Sequence, residues 1–393
     1  MRVKSSGDSS SITTPSCLVY KTRFRAALIK LTSSPLPIPL LHPSPIALSM
    51  KPRTYAEAGV DISREALSIK AMAEHLAGTL AHRAGKVGES LTGIGHFSAL
   101  LKLSSTLALA INTDGVGSKL LVAEAAGRYD TVGIDLVAMN ANDIICVGAE
   151  PVAMVDYLAV EEPEPEVAGE IAKGIARGAE LAGVSVVGGE TATLPEIVRG
   201  FDLAATMVGV VEVDRVVTGE EVRPGDAVLG LRSSGIHSNG LTLARKLILG
   251  EYGVEEEVLP GKKAWEVLLE PTRIYVREVL EVLQKLEVHG LAHITGGGLG
   301  NLCRLTRHGF LLDALPEPQE VFTLIQELGD IPPEEMYRTF NMGVGFCIVL
   351  PEEHAGEAVE ICRRHGTEAQ LIGRVVEGRN TVRIQDAGVE LGY

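Results

Sequence analysis

The sequence predicts a mixed α/β (α+β) enzyme of two domains, and three observations carry that prediction. The chain has 393 residues, room for two or three domains of roughly 100–200 residues each. From Met50 onward, β-branched apolar runs alternate with amphipathic stretches, without the strict repeat of a doubly wound sheet. Many of those runs end in glycine. The 43 glycines in 393 residues exceed the usual share of about 7%, which suggests tight turns and backbone that ligands approach closely.

Composition removes several classes. A hydrophobic content of 46% excludes a wholly disordered chain. No apolar run reaches the roughly 18–20 residues needed to span a bilayer. A net charge of −15 argues against a nucleic-acid binder, which must neutralise phosphates with Lys and Arg. The five cysteines include no CxxC pair, so buried thiols in a reducing compartment are expected rather than a disulfide framework or structural zinc.

The charge is unevenly spread. Residues 1–49 hold six basic side chains against Asp8 alone, a surplus of five, which leaves −20 on residues 50–393. This Ser- and Pro-rich segment is read as an extension outside the fold. Either the true start is Met50, or the segment is a disordered tail, or it is an organellar transit peptide.

The elements follow in order. LALAIN (107–112) reads as a buried strand, 118–127 and 133–147 as helices, and 153–160 as a strand. A helix over 166–182 leads to a glycine-ended strand at 184–190 and a long β-branched strand at 203–213. The turn signal RPGD (223–226) divides a first domain, 50–225, from a second, 226–393. The second is expected to hold a strand at 227–235, helices over 240–249 and 272–287, and a strand and glycine loop at 291–298. A helix near 319–328, a strand at 344–350, a helix over 352–364 and a closing strand near 369–376 complete it.

No P-loop, dinucleotide fingerprint, GxSxG elbow or HExxH is present. Five loops carry the candidate chemistry instead. Thr113-Asp114-Gly115-Val116-Gly117-Ser118-Lys119 joins a strand to a helix. Its carboxylate, glycines and lysine suit a Mg-polyphosphate, although an N-capping Asp before a turn glycine gives the same local pattern. On the next helix Asp135 and Asn142 are seven apart and share a face, with Asp143 about 80° round. That polar face is either solvated or spent on a metal. Gly188-Gly189-Glu190 ends a strand with a further carboxylate. Ser233 to Gly240 sets His237, Ser238 and Asn239 in a loop of small donors suited to phosphate or sugar. His293 opens a fifth loop, His293-Ile294-Thr295-Gly296-Gly297-Gly298. Either histidine could instead be a satisfied structural one.

Taken together, TDGVGSK, GIDLVAMNANDI, GAEP, VVGGETA, SSGIHSNG and HITGGGL stand in an order that resembles the phosphoribosylformylglycinamidine cyclo-ligase (aminoimidazole ribonucleotide synthetase) family. The resemblance runs from Tyr55 to about 376. It implies a fold whose N-terminal domain closes a β-barrel with its twin in a homodimer, followed by a C-terminal α/β domain. It also implies ATP-dependent cyclisation of formylglycinamidine ribonucleotide, with Mg2+ and no nucleic-acid or membrane partner, in the cytoplasm unless residues 1–49 direct it to an organelle. Under the resemblance Asp114, Asp135 and Asp143 are the Mg2+ ligands, assisted by Lys119 and supported by Asn142 and Glu190. His237, Ser238 and Asn239 face the substrate or transferred phosphoryl group, and His293 transfers a proton. Catalysis is thus expected from His293, His237 and Lys119. ATP is expected at Asp114, Gly115, Gly117, Ser118, Lys119, Asp135, Asn142, Asp143, Gly188, Gly189, Glu190, Ser238 and Asn239. The stretch Gly93-Ile94-Gly95-His96-Phe97 departs from the family's usual GGFG-like pattern. Selenophosphate synthetase and thiamine-monophosphate kinase share the architecture and stand as alternatives, as does a non-catalytic ATP-binding subunit.

Overall fold

The structure is a computed structural model that describes residues 51–392; the extension read at 1–49 lies outside the described residues. The first half opens with helix α1 (Ile62–Leu76) and a 3-10 turn, then strands β1 (Glu89–Ser90), β2 (Ala99–Lys102) and β3 (Leu107–Gly115). Helices α2 (Leu120–Ala126) and α3 (Val132–Ile145) follow. Then come β4 (Glu150–Val160), α4 (Pro165–Ala182), β5 (Ser185–Thr193) and β6 (Phe201–Glu212). The six strands form one sheet in the order β1-β2-β3-β6-β4-β5. Only β4 and β5 run parallel, and α4 supplies the crossover that a parallel pair requires.

Pairing in this sheet fixes which side chains share a face. Asp114 lies opposite Ala205, which lies opposite Asp156, which lies opposite Gly189. That row points to the covered side, where α3 packs on β3, β4 and β6. Burial of Ala108, Ala110, Met154, Leu203, Ala205 and Met207 marks this as the core face. Helix α4 lies against α3 at very close range. A Cβ on Gly133 would fall 2.3 Å from the Ile175 nitrogen, so only glycine permits the approach.

The second half begins after the 223–226 turn with β7 (Ala227–Arg232) and α5 (Leu241–Glu251). A small hairpin of β8 (Glu257–Leu259) and β9 (Lys262–Lys263) precedes α6 (Ala264–Leu268), α7 (Val276–Lys285) and β10 (Gly290–His293). The remainder is β11 (Gly309–Leu312), α8 (Glu320–Gly329), α9 (Pro333–Thr339), β12 (Val344–Leu350), α10 (Ala355–Arg364) and β13 (Ala369–Val376), then β14 (Thr381–Ile384) and β15 (Val389–Gly392). A seven-stranded sheet results, ordered β10-β12-β7-β13-β11-β14-β15. Strand β12, VGFCIVL, is buried along its whole length, as a central strand covered on both sides should be. Cys146, Cys303, Cys347 and Cys362 are free and buried, as expected; burial raises the pKa of each.

Candidate active site

Helix α3 organises the site. It is built from Ile, Leu, Val, Ala and Met, yet it buries Asp135, Asn140 and Asn142. A buried polar group without a partner costs about 1–3 kcal/mol, and groups distant in the sequence answer most of these. Oδ1 of Asp135 accepts from Lys119 Nζ (2.8 Å), from the Thr272 N–H (2.8 Å) and hydroxyl (2.6 Å), and from Ser238 Oγ (3.3 Å). Lys119, wholly buried, also donates to the Glu270 carbonyl at 2.6 Å. Ser118 Oγ lies 2.8 Å from Thr242 Oγ1. The TDGVGSK loop, α3, the SSGIHSNG loop and residues 270–273 therefore meet around one carboxylate. Its Oδ2 is left without a partner.

Further along α3, Asn140 brackets the backbone of Asp114. Its Oδ1 accepts the Asp114 N–H and its Nδ2 donates to the Asp114 carbonyl, each at 3.2 Å. Asn142 Nδ2 donates to the Arg273 carbonyl (2.8 Å), and its Oδ1 accepts the Tyr275 N–H (3.0 Å). These bonds spend the backbone groups that a helix starting at 272 would need, so α7 begins only at Val276.

Asp143 Oδ1 lies 2.9 Å from His293 Nδ1. His293 Nε2 faces the Asn142 amide nitrogen at 3.4 Å, so the ring proton belongs on Nδ1 and is donated to Asp143. His293 is completely buried. It stands behind Asp143, its Nδ1 held by that carboxylate. Burial, and then the neighbouring charge of Asp143, push the Asp114 carboxyl up from 3.8 to about 6; the Gly115 N–H and His293 pull it partly back. Asp114 and Asp143 thus form a like-charged pair that a cation would relieve.

In the SSGIHSNG loop, His237 has a left-handed φ of 66° and is buried. Its Nε2 accepts the Ser234 N–H at 3.2 Å. Its proton therefore sits on Nδ1, which is buried with no acceptor. Burial, and then the neighbouring His293, Lys119 and Arg273, hold its pKa well below 6.5, so the ring is neutral. Asn239 Nδ2 is likewise buried and unpartnered. A Cβ built on Gly296 would lie 3.4 Å from Asn239 Oδ1, so the His237 and His293 loops adjoin.

Some expected groupings do not form. Asp135 and Asp143 are eight residues apart, about 12 Å along the helix, and Asp135 is committed to Lys119. Among the described residues no three His, Cys, Asp or Glu side chains converge to hold a metal. Asp114 and Asp143 remain close enough for the charge of one to act on the other. Lys119 is wholly buried, paired with Asp135 and bonded to the Glu270 carbonyl. Gly188, Gly189 and Glu190 lie on the exposed edge strand β5. Gly189 is three strands from Asp114, about 14 Å. Glu190 pairs with Tyr157, whose row points to the other face of the sheet. Gly117 is where expected, its φ of 72° turning the chain into α2, and Gly115 ends β3 beside Asp114.

Sequence reasoning missed Asn140, Ser98, Thr272, Tyr275 and Arg304. Asn140 carried one signal, an amide inside an apolar helix. The others act through distant partners. Ser98 Oγ donates to the Asp143 carbonyl at 2.8 Å. The Arg304 guanidinium lies 4.0 Å over the Phe97 ring and donates to the Gly95 carbonyl at 2.9 Å. His96, the departure in that loop, donates from Nε2 to the Thr218 carbonyl at 3.3 Å.

Two family models match the chain. "AIR synthase related protein, N-terminal domain" covers residues 95–211, and "AIR synthase related protein, C-terminal domain" covers 223–385. The phosphoribosylformylglycinamidine cyclo-ligase of Thermococcus kodakarensis is 54% identical over 338 residues, which span 86% of this chain and 99% of that protein. Thiamine-monophosphate kinase from Stenotrophomonas maltophilia superposes with a TM-score of 0.56 at 19% identity, covering 79% of this chain and 95% of that one. A hydrogenase maturation protein in complex with ATP gives 0.56 at 22% identity, covering 74% and 85%. These two likenesses establish the fold alone. With both domain models matched in order and a relative at 54% identity across nearly its whole length, the chain belongs to the phosphoribosylformylglycinamidine cyclo-ligase family.

Proposed function

We propose that this chain closes the imidazole ring of formylglycinamidine ribonucleotide, giving aminoimidazole ribonucleotide while ATP becomes ADP and phosphate. The observation that carries the reading is a set of unspent polar atoms around α3. His237 Nδ1 and Asn239 Nδ2 are buried donors that lack acceptors. His237 lies near enough to His293 to be influenced by it, and His293 holds Asp143. Buried donors without acceptors beside a carboxylate pair suit anionic ligands accompanied by a cation.

The chemistry asks for such an arrangement. An amide oxygen leaves poorly. Transfer of a phosphoryl group from ATP converts it to an iminophosphate, which the amidine nitrogen displaces, releasing phosphate. The protein must chiefly align two anionic ligands. ATP is in keeping with the ATP-bound structural neighbour. Mg2+, held by Asp114 and Asp143 with ligand phosphates completing its shell, would screen the polyphosphate. Neutral His237 would donate to a substrate or phosphoryl oxygen without adding charge. Lys119 would act from inside the fold, fixing Asp135 and through it Ser238 and Thr272.

The same reading divides the chain into domains at residues 223–226 and places it in the cytoplasm. It also pairs two copies through the uncovered face of the six-stranded sheet. On that face Leu109 stands by Val210 and Ile111 by Val208, with Val155 and Tyr157 exposed beyond them. The test is direct: the purified chain with ATP, Mg2+ and formylglycinamidine ribonucleotide should release one ADP per aminoimidazole ribonucleotide. Turnover of thiamine phosphate or selenide in its place would overturn the proposal.

A further inference from the structure

Strand β12 is buried from Val344 to Leu350, yet its second residue is Gly345. A glycine weakens a strand interior, and where one stands it often marks a close approach. A Cβ at 345 would fall 2.1 Å from the Tyr275 hydroxyl oxygen and 2.5 Å from His237 Cε1. Both are far inside the ~3.5 Å of ordinary contact. The backbone holds the position in place. Gly345 lies at the register shift between β12 and β7, and its carbonyl accepts the Ile294 N–H at 3.0 Å. Two side chains from separate loops thus close on one bare Cα.

Tyr275 is the more constrained of the two. It is wholly buried. Its N–H goes to Asn142 Oδ1, and its hydroxyl donates to the Arg232 carbonyl at 2.9 Å. Its ring centroid lies 6.4 Å from that of His237 and 5.4 Å from that of Phe346. Phe346 in turn lies 6.3 Å from His293, its partner across β10 and β12. Four rings run in file from one histidine to the other, each at a spacing typical of packed rings. His237 itself has a left-handed φ, which persists only where the surroundings hold it. Its Cε1 sits between the two ring nitrogens. One of these accepts the Ser234 N–H, and the other, Nδ1, is buried without a partner. The Tyr275 hydroxyl therefore stands against the ring edge that carries the unspent donor.

We propose that Tyr275, seated by Gly345, is a positioning residue for His237. Its hydroxyl wedges the imidazole edge and fixes the ring in the one orientation that leaves Nδ1–H free for a ligand oxygen. The hydroxyl also claims the Arg232 carbonyl, which keeps that acceptor from the imidazole. Phe346 carries the same packing through to His293, so the loops of the two histidines are held as one unit. The inference rests on the donor role given to His237 in the proposed function.

Tyr275→Phe tests it, because the variant keeps the ring and removes one oxygen. Long-range nitrogen–proton spectra of the histidine rings report the tautomer, with the His237 signals assigned by their absence from His237→Gln. Wild type should show His237 protonated on Nδ1 alone. In Tyr275→Phe that single tautomer should be lost. kcat for cyclisation should fall ~10–100-fold, while the KM for each substrate stays within ~3-fold of wild type. Gly345→Ala, which drives the same two rings apart, should act in the same direction, and circular dichroism checks that both variants are folded. A Tyr275→Phe protein that is merely less stable, with tautomer and kcat unchanged, would make Tyr275 a core residue and overturn the inference. A tautomer that changes while kcat holds, or a kcat that falls while the tautomer holds, would overturn it as well. A wild type that does not cyclise formylglycinamidine ribonucleotide would sink the proposed function instead, and the ring spectra would still decide whether Tyr275 sets His237.

Discussion

Lys119 Nζ and Asp135 Oδ1 lie 2.8 Å apart, and neither side chain touches solvent. The pair joins the first half of the chain to the second, since Asp135 also binds Thr272 and Ser238. Removing one member of a buried pair strands the other charge, at about 3–5 kcal/mol. Lys119→Met should therefore lower unfolding stability by that amount. The double variant Lys119→Met/Asp135→Leu should recover part of the loss, because no charge is left uncompensated. Urea unfolding of the two variants measures this. A single variant within ~1 kcal/mol of wild type would mean that the pair does not anchor the segment.

Asp114 should separate activity from stability. Its folded pKa of about 6 exceeds the ordinary 3.8, so the folded state holds its proton more tightly than the unfolded one. The stability this group contributes is present below 3.8 and lost as pH rises through about 6. Asp114→Asn keeps an oxygen for the Gly115 N–H and removes a charge that sits badly beside Asp143. At pH 8 without Mg2+ the variant should be more stable than wild type by on the order of 1–3 kcal/mol, and near pH 4 the two should converge. Cyclisation at pH 8 should fall ~100-fold or more. Chemical denaturation at both pH values and a product assay check the two halves independently. A variant that is less stable at pH 8 would refute the electrostatic account.

The strand and helix pattern was legible because burial writes periodicity into sequence. β12 is apolar throughout, and α4 carries its stripe. What stayed hidden depends on contacts distant in the chain. Helix α7 starts at Val276 because Asn142, 133 positions before Tyr275, takes that residue's N–H; local propensity at 272–275 gives no hint of it. The polar face of α3 was visible, but whether it met a metal, water or protein was not. The structure gives it protein partners: Asp135 meets Lys119 and Thr272, Asn142 meets Arg273 and Tyr275, and Asp143 meets His293. Strands β14 and β15 and helix α9 are short, and their apolar residues are too few to stand out. Glu190 was singled out because it follows two glycines at a strand end; its position within the sheet, three strands from Asp114 and on the other face, is visible only in the register.

His289 gives a pH dependence of its own near the turn that follows the first half. The ring is buried, with Nδ1 2.7 Å from Asp226 Oδ2 and Nε2 2.9 Å from Glu287 Oε1. Asp226 in turn accepts the Arg223 N–H at 2.9 Å, closing the 223–226 turn. Two flanking carboxylates ask both ring nitrogens to donate, which only the protonated ring does. Burial pulls the pKa down, but hydrogen bonds to Asp226 and Glu287 outweigh it and set the net value above 6.5. A histidine raised in this way contributes stability that is full below 6.5 and is lost as pH rises through the folded value. His289→Gln cannot present a positive charge to both carboxylates. Wild type should exceed it by ~1–3 kcal/mol at pH 6, with the gap narrowing steadily toward pH 9. Urea unfolding of both proteins across that range provides the measurement. A gap that does not change with pH would mean that the ring stays neutral between its two carboxylates, and the clamp would then be an ordinary pair of hydrogen bonds.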